Sequence, residues 1–517
     1  MKKFIIFLSS FSVILLTACQ TSNTSNEEEV LNTPNATTTP IVELADGATY
    51  DLEASFVEKE IDGSIHKMLA YNGSIPGPTI KVQQGSTITI NLTNNTDIET
   101  TLHSHGVRLD NAFDGVPDLT QEAIPVGGTF SYEVRFDDAG VYWYHPHFRQ
   151  DYAQDLGLYG NYIVVPSDSS DWSLVNREEI LAVDDVLIED GNLTDYLENE
   201  VTHTLMGRFG NTMLVNGDTD YELQVDKGEV VRFYITNTAN TRVFNLEIPG
   251  AKMKLVGSDN GLFEKDEWKD EILLSPSERA IVEVLFEDSG SYDLVHQTPD
   301  KTYTLGKISV LDQEVTQSYA ADFNILKTHT STVSSVDPYR SSFAKEPDKF
   351  LSIDLEMEGM GGSHSMHSGT MMENSMMSMG NGEAIEWEDT MNMMNSSSNE
   401  DTLTWKLVDE ETNKENMNID DWEFKQGDIE KIRITNPNDT MHPMQHPIHL
   451  HGQRFLVLSV DGVETENLGW KDTVLIPAGS TVDLLVVMDN PGQWMLHCHI
   501  SEHPEAGMMM PFNVSSL

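Results

Sequence analysis

The sequence predicts an all-β protein built from three β-sandwich domains in tandem. Short runs of β-branched and apolar residues alternate with polar ones and end in Gly, Asn, Asp or Pro, the habit of half-buried strands. Two long phrases recur three times in the same order. The length, 517 residues, exceeds what one hydrophobic core supports.

The chain opens with Lys2 and Lys3, an apolar run over residues 4–16 and the small-residue ending Leu16-Thr17-Ala18-Cys19, the layout of an export signal. Cysteine at the cleavage position resembles a bacterial lipoprotein signal over residues 1–19, with Cys19 lipidated. An extracytoplasmic protein held to the cell envelope by lipid alone is therefore expected, because no other stretch is long and apolar enough to span a bilayer. Residues 20–39 are rich in Ser, Thr, Asn, Glu and Pro and read as a flexible tether. With 84 acidic against 31 basic residues, the formal charge of −53 repels nucleic acid and anionic membrane surfaces.

The first recurring phrase is YNGSIPGPTIKVQQGSTITINLTNN from Tyr71, LVNGDTDYELQVDKGEVVRFYITNT from Leu214 and, more weakly, MNIDDWEFKQGDIEKIRITNPND from Met417. Each reads as strand, a turn at Gly85, Gly228 or Gly427, and strand. The second is GTFSYEVRFDDAGVYWYHPH from Gly128, SERAIVEVLFEDSGSYDLVHQ from Ser277 and GSTVDLLVVMDNPGQWMLHCH from Gly479. These repeats place the sandwiches at residues 40–166, 167–315 and 316–517.

Aligning the second phrase on Gly140, Gly290 and Gly492 sets His145 and His147 opposite Val295 and Gln297, and opposite His497 and His499. The outer units also carry His103/His105 and His449/His451, where the middle unit offers Arg242-Val243-Phe244-Asn245. Seventeen histidines placed at random would give less than about one HxH triplet, so four point to a site. Residues i and i+2 of a strand share a face, so each pair presents two imidazoles on one side. Imidazole suits copper, zinc, iron and nickel, and eight rings can hold three metals as three, three and two.

Cys498 sits between His497 and His499, so its sulfur points to the opposite face of the strand and serves a different metal. With Cys19 lipidated it has no disulfide partner. His446 lies upstream, and His503 and Met508 lie in the loop HISEHPEAGMM. Two histidines, one thiolate and a weak axial methionine describe a blue copper electron-transfer site. The backbone of His497-Cys498-His499 then joins that site to the histidine cluster.

The motifs HSHG at His103, YHPHF at Tyr144, HPIHLHG at His446 and HCHISEHPEAGMM at His497 resemble those of the multicopper oxidases, in order and in internal spacing, and the likeness covers the chain from Pro40 onward. The branch it most resembles is that of bacterial copper-efflux cuprous oxidases and laccase-like enzymes. The resemblance implies cupredoxin-like Greek-key sandwiches and four copper ions. His446, Cys498, His503 and Met508 would form the type 1 site, His103 and His449 the type 2 site, and His105, His145, His147, His451, His497 and His499 the type 3 pair. It also implies four one-electron oxidations coupled to reduction of dioxygen to water, in a monomer whose partners are dioxygen and Cu(I) or another small reducing substrate. Asp114 resembles the family's proton-relay acid, although a turn role before Gly115 accounts for it equally. A second acid follows the last type 1 histidine in many bacterial members. Here that position is Pro504, which leaves Glu505 or Glu502 as substitutes.

Residues 357–395 hold eleven of the 24 methionines and read as an insert in the third unit. Soft thioethers select Cu(I), so this tract reads as a cuprous-ion collector, and its Gly, Ser and Asn content also fits a low-complexity loop. Asp439, Met441, His442 and Met444, just before His446, are the candidate substrate residues. The alternatives to a cuprous oxidase are a broader laccase-like oxidase of phenols, bilirubin or Fe(II)/Mn(II), and a copper-storing or electron-carrying protein. The eight cluster histidines argue against the latter.

Overall fold

In the strand Thr87–Asn95, Ile88, Ile90, Leu92 and Asn94 are buried while the residues between them are more exposed, as a pleated strand with one face on a core requires. The computed structural model describes residues 33–197, 200–357 and 384–517. The export signal, Cys19, residues 20–32 of the tether and residues 358–383 of the methionine-rich tract lie outside the described residues. Backbone pairing begins ahead of Pro40. Glu58 N–H donates to Pro34 O, Ala36 N–H to Glu58 O and Thr37 N–H to Gly73 O, so residues 34–39, read as tether, run along the first sandwich.

The recurring phrases become recurring topology. In the first sandwich one sheet orders Ser64–Tyr71, Thr49–Ile61, Thr87–Asn95 and Thr129–Arg135. The middle sandwich repeats this with Thr212–Val215, Arg177–Val186, Glu229–Asn237 and Arg279–Phe286, and the third with Leu403–Asp409, Lys349–Met357, Asp428–Thr435 and Thr481–Met488. Each of the two later sheets gains two further strands, Lys252–Ser258 with Gly261–Lys269 and Arg454–Val460 with Val463–Glu464. In all three, the second and third strands run parallel and the third and fourth antiparallel. A second sheet of five strands faces each of these. Each sandwich closes over its own core, with Tyr132 and Tyr162 in the first, Phe233 and Phe286 in the middle and Trp405 and Trp494 in the third.

The strand Glu229–Asn237 is buried along its whole length, not alternately. Tyr234 and Ile281 on its sheet pack with Val141 and Ile163 of the first sandwich, so the outer face of the middle domain is covered too. Residues 316–348, read as the start of the third sandwich, carry short helices instead, Ala320–Phe323, Thr330–Val336 and Asp337–Ser342. Phe323 packs on Val230 and Leu285 of the middle domain, and Val336 packs on Leu456 and Leu485 of the third. The strands of the third sandwich start at Lys349.

Candidate metal centre

The histidine pairs stand on matching strands of the outer domains. His103–His105 lies beside Gly140–His145, with His103 opposite His145 and His105 opposite Trp143. In the third sandwich His446–Leu450 lies beside Gly492–Cys498, with His449 opposite His497 and Ile448 opposite Cys498. The middle counterparts, Phe244–Glu247 and Gly290–Gln297, place Leu246 opposite His296. That histidine is engaged structurally, accepting from Asn245 N–H and stacking on Tyr303.

Among the described residues, ligand atoms lie within 4.8 Å of one another in the sets His105/His145/His499, His147/His451/His497, His103/His105/His449, His103/Asp114/His451 and His446/Cys498/His503. The cluster joins the two outer domains: the rings of His105 and His449 stack at 3.7 Å between centroids, and those of His103 and His451 are 4.1 Å apart. All eight rings are buried except that of His147, which is half-buried.

Hydrogen bonds fix which nitrogen faces inward for six of the eight rings. Nδ1–H donates to a backbone carbonyl from His103 (Asp114 O, 2.7 Å), His145 (Pro146 O, 2.9 Å), His449 (Asp472 O, 2.8 Å) and His497 (Cys498 O, 2.7 Å). His451 Nδ1 donates to Asp114 Oδ2 at 2.9 Å. His105 is reversed, its Nε2 lying 2.9 Å from Asp472 Oδ1 and 3.0 Å from Thr473 Oγ1. What remains is Nδ1 of His105 and Nε2 of His103, His145, His147 and His449, none with a protein partner. With both Nδ1 atoms protonated, the Nε2 lone pairs of His451 and His497 face each other at 3.0 Å. Opposed lone pairs in a dry pocket call for a cation, and the tautomers present a converging set of neutral nitrogen donors to one.

Electrostatics keep these donors unprotonated. Burial, then repulsion from neighbouring rings, holds His105, His145, His147, His449, His451 and His499 well below the usual histidine range. Burial lowers His497 to about 4 and His446 to about 3. Those seven cluster rings would therefore meet a metal as neutral donors at neutral pH.

Cys498 Sγ lies 3.6 Å from His446 Nδ1 and 3.5 Å from His503 Nδ1, and it accepts from Ile500 N–H at 3.4 Å. Burial pushes the thiol far up, so only a bound cation makes it a thiolate at neutral pH. Cys498 and Met508 belong to the core of the third sandwich. Trp405 walls both imidazoles, with ring centroids 4.6 Å from His446 and 4.7 Å from His503, and its own Nε1–H is held by Thr204 O. The sulfur and nitrogen donors match copper, and the eight-imidazole cluster does so as well.

The remaining expected residues separate by burial. Asp114 is buried and holds both outer domains, its carbonyl and Oδ1 near His103 and its Oδ2 on His451. It also caps the turn Asn111–Phe113, so a turn position and contact with both histidines coincide in this one residue. Glu505 is exposed, whereas Glu502 is fully buried, accepts from Asn240 Nδ2 at 3.5 Å and is raised by burial to about 8. Of the two acids, Glu502 is the internal one. Met444 is fully buried in the core, while Asp439 and Met441 are exposed. His442 is buried with neither ring nitrogen partnered. Sequence reasoning missed Trp405, Asp472 and Thr473. The only local signal was the position of Thr473, which pairs directly with His449.

A cysteine with two histidines, joined by one strand to an eight-histidine cluster between sandwich domains, defines a copper-dependent oxidoreductase. Three family profiles, each described as multicopper oxidase, match residues 54–169, 184–316 and 385–516. The chain belongs to the multicopper oxidase family. It is 28% identical over 476 residues to multicopper oxidase mco of Staphylococcus aureus, covering 90% of this chain and 88% of that protein. Over 559 residues it is 25% identical to the copper resistance protein A homolog of Pseudomonas syringae pv. tomato, covering 90% and 92%. Laccase-1 of Botryotinia fuckeliana is 26% identical over 472 residues, covering 87% and 79%. The crystal structure of Lac15 from a marine microbial metagenome superposes with a TM-score of 0.61 at 26% identity, covering 89% of this chain and 99% of that one. The multicopper oxidase from Campylobacter jejuni, described as a metallo-oxidase, shares the fold with a TM-score of 0.68 at 24% identity, covering 94% and 98%.

Proposed function

We propose that the protein is a cuprous oxidase of copper tolerance, oxidising Cu(I) outside the cytoplasm and reducing dioxygen to water. In this reading His446, Cys498, His503 and Met508 hold a type 1 copper, His103 and His449 a type 2 copper, and the triads His105/His145/His499 and His147/His451/His497 the type 3 pair. Copper bound there supplies single-electron transfer at the cysteine and dioxygen reduction at the histidine cluster. The chain supplies the path between them, since Cys498 is covalently bonded to residues whose rings belong to both triads. Asp114 Oδ2 accepts from His451 Nδ1–H and so stands on a proton path to that ring, and Glu502 is the internal acid that stands in for the one displaced by Pro504.

The observation that carries the substrate is the setting of the methionine tract's described flanks. Met357, Met391 and Met394 pack against the core that contains Cys498 and Met508. Inside the tract, where its described part resumes, Ala384 O accepts from Ala478 N–H, and Glu386 exchanges hydrogen bonds with Gln445, the residue before His446. Thioethers thus pack on the same core as Cys498 and Met508, and soft sulfur of this kind favours Cu(I). The relation to the copper resistance protein A homolog supports the same reading.

Oxygen uptake by copper-loaded protein, with Cu(I) and a bulky phenol in parallel, tests it. Replacing residues 359–383 by a short Gly/Ser linker, which leaves Glu386 and the buried Asn395 in place, should lower the Cu(I) rate and raise the phenol rate. Unchanged Cu(I) oxidation would make the broader laccase reading, to which Laccase-1 is the relevant relative, the better one. Lipid attachment at Cys19 is part of the proposal. Labelling with a tritiated fatty acid should mark the wild-type chain and not Cys19→Ala.

A further inference from the structure

Two residues of the middle sandwich interlock with two of the third. Glu278 pairs with Lys471 at 3.2 Å, and the next residues, Arg279 and Asp472, pair through Nη2 and Oδ2 at 2.5 Å and Nη1 and Oδ1 at 2.6 Å. Asp259 braces both sides, accepting from Arg279 N–H at 2.8 Å and lying 3.0 Å from Lys471 Nζ. Two further donors of the guanidinium are used, Nε on Val141 O of the first sandwich and Nη1 on Ser277 O. Arg279 is fully buried and touches all three domains.

Its position in the repeat makes this unusual. Arg279 is the first residue of its strand and pairs with Thr236, while the equivalent first residues of the outer sandwiches are Thr129, paired with Thr93, and Thr481, paired with Thr435. Thr129 is exposed and Thr481 half-buried. The domain without histidine pairs has thus placed a buried cation where its siblings carry a small surface residue. Asp472, the carboxylate it grips, touches ligands of both outer domains: Oδ1 meets His105 Nε2, and its carbonyl takes Nδ1–H of His449.

We propose that Arg279 is a positioning residue for the trinuclear centre, locking Asp472 so that its carboxylate turns His105 to present Nδ1 and its carbonyl turns His449 to present Nε2. The inference rests on the ligand assignment above. A planar guanidinium making two parallel bonds fixes both the place and the rotation of a carboxylate, which a lysine ammonium does not.

The test compares full-length, copper-loaded wild type with Arg279→Met and Arg279→Lys. Copper per chain, the type 2 electron paramagnetic resonance signal, release of cluster copper to a chelator, and blue absorption at Cys498 are all followed. Loss of an outer partner of a metal-ligating histidine weakens metal binding by about 10–100-fold. Arg279→Met should hold cluster copper that much more weakly, with an altered type 2 signal and unchanged blue absorption. Arg279→Lys should fall between the two. Wild-type retention and an unaltered type 2 signal in Arg279→Met would overturn the proposal, as would parallel loss of blue absorption, which would mark a role in domain assembly alone. Should Arg279→Met fail to fold, Arg279→Lys decides on the same two measurements. A wild-type chain that binds fewer than four coppers or lacks a type 2 signal would instead overturn the ligand assignment.

Discussion

Gly106 and Gly452 each follow an HxH pair, and each has the left-handed φ, +79° and +65°, that carries the chain away from the cluster. A Cβ on Gly106 would lie 2.2 Å from Asp472 Oδ2, and one on Gly452 would lie 2.3 Å from the ring of Trp494. Trp494 is fully buried, with its Nε1–H held by Asn490 O, so it has nowhere to move. Gly452→Ala should therefore cost about 1–2 kcal/mol for the left-handed backbone and about 1–3 kcal/mol more for overpacking. It should also loosen cluster copper, because His451 is its neighbour. Urea unfolding together with copper analysis checks this, and a variant of wild-type stability would mean that the turn relaxes. Cys498→Ser makes a sharper separation. It removes the soft ligand and should abolish blue absorption and nearly all oxidation, while the cluster, whose eight donors are all imidazoles, still loads. Blue colour that survives the change would place the type 1 site elsewhere.

The short helices between the middle and third sandwiches are pinned at His329, whose Nδ1–H donates to Phe263 O at 2.7 Å while Nε2 lies 3.1 Å from Asp266 Oδ1. Two acceptors facing two ring nitrogens suit an imidazolium. Burial alone would lower this histidine, but the contact with Asp266, helped by Phe263 O and Asp171, raises it. Asp266 is raised by burial and lowered more by His329, Lys327 N–H and Lys254, ending below its ordinary value. The histidine's contribution is thus fully present below an unfolded-state pKa of about 6.5 and is lost as pH rises through the higher folded value. The aspartate's is present above about 3.8 and is lost as pH falls through the lower folded value. The stability difference between wild type and His329→Gln should shrink from pH 6 toward pH 9, and a difference that is flat over that range would exclude a charged His329. These helices were not read from the sequence, because each is only one or two turns long and the spacing of Val333, Val336, Tyr339 and Phe343 is too short a run to stand out among the strands. The sandwiches were legible, since alternation and the threefold phrase mark them directly, and the shared face of each histidine pair followed from the period of a strand. What escaped was contact across domains. Asp472 reads locally as an acid before a strand, and Glu502 and Glu505 are the first and last residues of one four-residue helix, of which only the first meets Asn240 of the middle domain.

Across the whole molecule the cluster is shared equally, with His103, His105, His145 and His147 from the first sandwich and His449, His451, His497 and His499 from the third. The same two domains are also joined by charge, Arg108 pairing with Asp138 and Asp489, and Arg454 with Asp138. Asp138 is raised by burial but lowered more by Arg454 and Arg108, so this network remains ionised when the metal is gone. Copper removal should therefore leave a folded chain whose first and third domains are joined less firmly. A ligand bound only by the native state adds about 2.7 kcal/mol at one hundred times its dissociation constant. Because the histidines that would hold the metal come from both domains, that gain should be felt by both. Calorimetry should show copper-loaded protein melting in one transition, and chelated protein melting lower and over a broader range. Cys498→Ser, which disables a site lying within one domain, should keep most of the upward shift, whereas His105→Ala with His451→Ala should lose it. An upward shift confined to a separate transition of the third domain would mean that the cluster does not tie the two domains together.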